Sequence, residues 1–441
     1  VLRHRRTRCF DGNRRIHAGT PDRSTPTRSR DSSVTRGGPA NALGTGRPRD
    51  EIGAIMGSPS TKMKSLLNLR QSVWLDYLHR HLTRSGDLQA LIDDGLRGMT
   101  SNPTIFEHAI GGSADYDDEL TKLASSPKTD RGLFEILAIT DVREAADVFR
   151  PVYHATGGAD GFVSLEVSPG VARDTDGSVH EARRLWRAID RPNVMIKIPG
   201  TREGWPAIER CLQEGININI TLLFSVDHYQ AVAEAYLRAL EARVAQGQSI
   251  DRVASVASFF VSRVDTEVDK RIQARGGSLL QLQGKAALAG ARLAYETFLE
   301  MTRTARWQAL EAKGAQLQRL LWASTGTKNP KYSDVMYVES LIGPDTIATV
   351  PPDTLRRFED HGLISNALGS GSAGEAQAVM DTLTAGGIDF TDVNRTLEEE
   401  GIEKFATSFD KLLAAIAQKR RQMSRRAEEP GSAPVSSEGV H

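Results

Sequence analysis

From position 65 onward, short apolar runs of period two alternate with longer stretches of helical period. The short runs predict strands over 72–78, 95–102, 161–169, 193–201, 216–224, within 252–263, and over 319–325 and 345–350. Between and after them the spacing predicts helices over 87–93, 115–123, 131–150, 180–189, 205–214, 226–246, 279–313, 352–358, 373–385 and 398–422. Eight strands alternating with helices imply an α/β chain, a (β/α)8 TIM barrel with extra C-terminal helices. The competing architecture is an open doubly wound sheet. No Gly-x-Gly-x-x-Gly and no P-loop follows any of the strands, which weighs against it.

Alternate residues of a strand share a face, so a barrel strand should turn apolar positions to the helices and keep its other face inside. In the third strand Ser164 and Glu166 oppose Val163, Leu165 and Val167. In the fourth, Met195 and Lys197 oppose Val194, Ile196 and Ile198. In the fifth, Asn217, Asn219 and Thr221 oppose Ile216, Ile218, Ile220 and Leu222. Asp76 shares its face with Trp74. In the second, sixth and seventh strands the phase is set so that Thr100 with Asn102, Ser258, and Trp322 with Ser324 point inward. The expected inner polar set is thus Asp76, Thr100, Asn102, Glu166, Lys197, Asn219, Thr221, Ser258 and Ser324. Each buried polar group costs about 1–3 kcal/mol if left unpaired, so such a set must serve itself, water or a ligand.

Lys197 is the centre of this set. An amine desolvated among apolar neighbours is pushed toward its neutral form, a nucleophile for carbonyls. Taken alone, the stretch reads first as a buried lysine paired with a carboxylate. The inner companions favour the Schiff-base reading. Asp76 and Glu166 are the acid/base candidates. Two carboxylates against one lysine would hold it protonated, so the expected arrangement has Asp76 exchanging protons with substrate while Glu166 works through a water positioned by Thr221. Asn102 and Asn219 can hydrogen-bond substrate hydroxyls without adding charge; capping of strand ends and turns is their alternative role. Arg263 and Lys328 lie past the sixth and seventh strands, where such barrels often hold phosphate. Pairing with acids such as Asp265 or Asp334 is the other reading for both. The histidines form no ligand-spaced cluster, and His79 and His81 read as surface residues, so no metal site is expected. No cofactor fingerprint appears, so side chains should supply the chemistry.

Composition changes the picture mainly at the ends. Residues 1–60 hold twelve arginines and no lysine, and are rich in Ser, Thr, Pro and Gly. We expect residues 1–62 to be a disordered Arg-rich extension, 63–425 the barrel, and 426–441 a disordered tail. The extension suggests either a basic arm for RNA or upstream sequence read in frame, with synthesis starting at Met56 or Met63. Formal net charge over 441 residues is zero, so the total points to neither nucleic acid nor a membrane surface. Two distant cysteines, Cys9 and Cys211, fit a reducing cytoplasm. No apolar run approaches the roughly 18 residues of a membrane helix, and no signal peptide is evident.

Five stretches resemble the transaldolase family, in its longer bacterial subgroup: 98–106, 163–169, 194–201, 216–225 and 321–330. The resemblance covers about 66–419 and its motifs stand in family order. It implies a barrel of the class I aldolase type that moves a dihydroxyacetone unit in the pentose phosphate pathway. The donor would be sedoheptulose 7-phosphate and the acceptor glyceraldehyde 3-phosphate, giving erythrose 4-phosphate and fructose 6-phosphate. It implies Lys197 as the Schiff-base lysine, Asp76 as acid/base, and Glu166 with Thr221 holding a catalytic water. Asn102, Asn219 and Ser258 match substrate contacts, with Thr100 beside them on the inner face; Arg263 and Ser324 match phosphate contacts. Lys328 lies near a family arginine, at a spacing altered by Gly326-Thr327. The partners implied are sugar phosphates, without nucleic acid or membrane; a homo-oligomer is compatible. Alternatives are a fructose 6-phosphate aldolase, which shares the lysine, and an anionic-ligand or RNA-binding protein using the basic arm. The stripe Ile402, Phe405, Phe409, Leu412 and Leu413 shares one helix face and is expected to pack on the core; a lid is the alternative.

Overall fold

Eight short strands, each almost wholly buried, organise the molecule: β1 (Gln71–Asp76), β2 (Leu96–Thr100), β3 (Phe162–Glu166), β4 (Val194–Pro199), β5 (Ile218–Leu223), β6 (Ser255–Phe260), β7 (Arg319–Ala323) and β8 (Thr346–Val350). The structure is a computed structural model, and it describes residues 62–428. The strands pair in parallel in chain order, and β8 returns to β1 to close the barrel. Burial on both faces is what a parallel sheet covered by helices requires. It also explains why these runs are rich in Val, Ile and Leu. The (β/α)8 architecture predicted from the alternating pattern is the one observed.

Parallel register partners face the same way, so one assignment propagates around the barrel. Asp76 pairs with Thr100, Thr100 with Ser164, Glu166 with Lys197, and Lys197 with Asn219. The expected phase of the seventh strand is wrong. Inward Ser258 pairs with Leu321, while Phe259 pairs with Trp322 and meets its ring edge-on. Phe259 points at Gly290 in the helix layer, so Trp322 does too. Leu321 lines the interior instead. Ser324 reaches the barrel mouth by another route. It lies just past β7 in a left-handed conformation, φ 57°, which turns the chain out of the strand's alternation.

Several helices differ from expectation. The helix Pro103–Gly112 begins where a strand was expected merely to stop. Asn102 caps it by accepting from Ile105 N at 3.0 Å, and Pro103 suits its first turn. A helix over Ser262–Arg275 follows β6 directly and was not foreseen. The expected helix 279–313 is split into Ala286–Arg303 and Ala305–Glu311. Thr304 makes the break by accepting from Trp307 N at 3.2 Å. The last helix runs over Phe390–Glu428, longer than the expected 398–422. Expectations for residues 1–61 and 429–441 lie outside the described residues.

The N-terminal end of the barrel is closed by side chains. Trp74 lies so near Gly98 that a Cβ there would stand 2.5 Å from the indole, so only glycine fits. Below it, Asp160 accepts from Ser72 Oγ at 2.6 Å, Trp74 Nε1 at 3.0 Å and Arg319 Nη2 at 2.8 Å. Removing one partner of a buried ion pair leaves the other charge uncompensated. We expect Asp160→Ala to destabilise the fold by about 3–5 kcal/mol in urea unfolding. A shift below about 1 kcal/mol would show that the plug tolerates an unpaired Arg319.

Candidate active site

At the opposite, C-terminal end the inner faces of β1 to β6 converge, the end at which such barrels carry their chemistry. Lys197 is 6% exposed, with Met195 before it on the inner face and the apolar side of β4 behind. Its Nζ donates to the Ser101 carbonyl at 3.2 Å and stands 3.5 Å from Glu166 Oε2. Glu166 is its register partner on β3, so strand pairing alone sets the two side by side. Burial pushes the Glu166 carboxyl up from its ordinary range, while the Lys197 charge works against that rise. Among the described residues, Glu166 is the carboxylate in ion-pair contact with the lysine. The expected arrangement therefore needs revision: Glu166 touches Lys197 directly.

Asp76, the last residue of β1, accepts from Thr100 Oγ1 at 2.8 Å. The same hydroxyl lies 2.7 Å from Thr349 Oγ1 on β8. On the other flank, Asn219 donates to Ser164 Oγ at 3.0 Å and accepts from Ser258 Oγ at 2.7 Å. Two hydrogen bonds at opposite ends of the amide fix its orientation. Thr221 follows two residues later on the same face of β5. Its hydroxyl and Glu166 Oε2 are buried polar atoms without a hydrogen-bond partner among the described residues. An unpaired buried hydroxyl and an unpaired buried carboxylate oxygen on the strands flanking Lys197 are groups that can hold a water or a substrate oxygen. The Asn102 side-chain oxygen accepts the helix-capping bond, which orients the amide and leaves its nitrogen to donate to a ligand.

Beyond this ring lies a cationic rim. The Arg263 guanidinium stacks 5.1 Å from the Phe260 ring and 5.6 Å from the Phe405 ring. Burial lowers it from its ordinary value, and the Glu166, Asp76 and Glu400 carboxylates partly restore it. Ser324 sits beside Arg263's helix, its hydroxyl 2.9 Å from Ser262 Oγ. Enclosure by neighbouring protein, then the Arg263 charge, lowers the Lys328 ammonium, although the side chain keeps contact with solvent. The alternative reading, in which Arg263 and Lys328 pair with Asp265 or Asp334, does not hold. Asp265 is taken by Tyr337 Oη at 2.8 Å and by Ala287 N at 2.8 Å, and Asp334 by Arg357 at 2.7 Å.

The C-terminal helix crosses this rim. Gly401 packs so tightly that a Cβ would stand 3.0 Å from Leu222 and 3.5 Å from Arg263 Nη1. Leu222 is presented by a register shift in β5 and has φ 61°. Thr104 Oγ1 donates to Ser408 Oγ at 2.8 Å, Phe409 meets Phe134 edge-on, and Lys419 pairs with Asp117 at 2.7 Å. The apolar stripe therefore does both things weighed from sequence. Leu412 is buried in the core, and Phe405 reaches the mouth.

Residues that sequence reasoning passed over as site members include Ser101, Ser164, Ser262, Thr349 and Phe405. Alternation within β3 and β8 points to Ser164 and Thr349. Nothing local signals the Ser101 carbonyl or the partner of Phe405.

The geometry can be set beside known proteins. The model of the family described as Transaldolase/Fructose-6-phosphate aldolase matches residues 73–416. A protein named Transaldolase from Acidothermus cellulolyticus is 50% identical over 361 residues, covering 82% of this chain and 96% of its own. One from Saccharopolyspora erythraea is 48% identical over 364 residues, covering 82% and 99%. One from Mycobacterium tuberculosis is 47% identical over 345 residues, covering 78% and 92%. The match spans every strand of the barrel and the helix that crosses its mouth: the chain belongs to the transaldolase/fructose-6-phosphate aldolase family.

Proposed function

We propose that this chain, a transaldolase by its family and by relatives 44–50% identical over most of its length, carries a dihydroxyacetone unit as a Schiff base on Lys197. It is a transferase of aldehyde or ketone residues. The observation that carries the site assignment is the register of Glu166, Lys197 and Asn219 on adjacent strands, with the lysine buried and 3.5 Å from the carboxylate.

In this reading, Glu166 takes a proton directly from Lys197, and Thr221 holds a water at the same site. The freed amine attacks the ketone carbon of sedoheptulose 7-phosphate. The carbinolamine hydroxyl is protonated and leaves as water, giving the iminium ion. Asp76 then removes the proton from the hydroxyl on the fourth carbon. That oxygen's electrons form the new carbonyl, and the bond between the third and fourth carbons breaks. The bonding pair moves into the iminium to form an enamine, and erythrose 4-phosphate departs. Addition of the enamine to the aldehyde of glyceraldehyde 3-phosphate, followed by hydrolysis, releases fructose 6-phosphate. Thr100 orients Asp76; Asn102, Asn219 and Ser258 hold substrate hydroxyls; Arg263, Ser324 and Lys328 hold the phosphate. Fixed donors around a buried amine lower the barrier because they need no reorganisation as charge develops.

The scheme uses side chains alone, without metal or cofactor, and requires no nucleic acid or membrane. It places the reaction in the cytoplasm and is compatible with a homo-oligomer. Among the described residues, no helix is long and apolar enough to cross a membrane. Borohydride reduction in the presence of fructose 6-phosphate, followed by peptide mass mapping, should place the covalent adduct on Lys197. An adduct on another lysine, or none while turnover persists, overturns the assignment. Release of dihydroxyacetone without an acceptor aldehyde would point to aldolase action instead.

A further inference from the structure

On the C-terminal helix, Gly401, Lys404, Phe405 and Ser408 recur at spacings of three and four and so share one face. Three of the four meet the barrel rim: Gly401 against Leu222 and Arg263, Phe405 over the Arg263 guanidinium, Ser408 against Thr104. Lys404 lies between them. Three other cations of this helix have carboxylate partners: Arg395 with Glu399, Lys419 with Asp117, Arg420 with Asp130. The side chains of Arg263, Lys328 and Lys404 make no hydrogen bond or ion pair with any described residue. Lys404 is exposed to solvent, yet neighbouring protein, then the Arg263 and Lys328 charges, lowers its ammonium. Three cations at one mouth repel one another; the Glu166, Asp76 and Glu400 carboxylates offset this from a distance, and an anion bound among the three would offset it directly. A sugar phosphate brings between one and two negative charges and three acceptor oxygens. The two phenyl rings hold the Arg263 plane in place, leaving its edge free to fork onto two of those oxygens.

We propose that Lys404, supplied by the C-terminal helix, is a third cation of the phosphate subsite and sets the enzyme's preference for phosphorylated sugars. The proposal rests on the reading of Arg263 and Lys328 as phosphate-binding. It makes the helix part of the site.

The test uses the full chain and the variants Lys404→Met, which keeps the stem and removes the charge, and Lys404→Arg. With fructose 6-phosphate as donor and erythrose 4-phosphate as acceptor, Lys404→Met should raise KM by about 5–30-fold, the worth of one charged hydrogen bond partly screened by solvent. Its kcat should stay within about twofold, as uniform binding is lost. The Kd of inorganic phosphate, measured by calorimetry, should rise by a similar factor, and Lys404→Arg should recover most of both. Unchanged KM and phosphate affinity in Lys404→Met would remove Lys404 from the subsite. Equal losses in the arginine variant, or a loss confined to kcat, would reduce it to a packing residue. If the wild-type chain formed no borohydride adduct, the Schiff-base reading would fail, and phosphate calorimetry would still decide the role of Lys404.

Discussion

Lys197→Met should abolish transfer, lowering kcat/KM by about 10⁴-fold or more, as removal of a covalent nucleophile does. Methionine matches the length and volume of the lysine stem but cannot form an imine. The side chain is 6% exposed among Met195, Ser101 and Glu166, so the neutral replacement leaves no charge of its own in the site. It does leave Glu166 without its nearest cation. Burial already pushes that carboxyl up, so losing Lys197 should drive it to take a proton rather than unfold the barrel. The variant is therefore expected to fold, bind phosphate at the rim and give no borohydride adduct. Turnover above about one hundredth of the wild-type rate would sink the covalent mechanism.

Asp76→Ala should slow the chemical step by about 10²–10⁴-fold, the usual worth of a general acid/base. Asp76 ends β1 directly opposite Thr100, whose hydroxyl holds one carboxylate oxygen at 2.8 Å. The other oxygen is free to face the substrate. Asp76→Asn separates orientation from proton transfer, because the amide oxygen can still accept from Thr100. Both variants should be slow in single-turnover cleavage while still binding fructose 6-phosphate. If the asparagine variant kept most of the rate, Asp76 would orient the substrate and another group would carry its proton.

The site was legible in strands three to five because inward polar residues interrupt otherwise continuous apolar runs. Ser164, Glu166, Lys197, Asn219 and Thr221 stand out against Val, Ile and Leu neighbours, and period two assigns them one face. That logic failed in strand seven. Trp322 is apolar in any phase, and Ser324 was counted as part of the strand when it lies beyond it, in a left-handed turn. The helix at 262–275 escaped notice for a related reason. Its acids Asp265, Glu267 and Asp269 interrupt the apolar spacing of a helix face, yet all are buried. Tyr337 and Tyr332 donate to Asp265 and Asp269, and Arg271 donates to Glu267 at 2.8 Å.

By itself, the sequence determined the eightfold alternation, the barrel class, the lysine and most of its companions. These follow from local periodicity, and a parallel register turns shared phase into spatial adjacency. Only the tertiary structure decided that Glu166, not Asp76, touches Lys197, and that Ser101 offers its carbonyl to the amine. It alone carried the C-terminal helix across the mouth, setting Phe405 on Arg263 and Lys404 near the cationic rim. An amphipathic stripe says that a helix face must be buried. It does not say against what, because that contact joins segments about 140 residues apart and depends on how the closed barrel presents its rim.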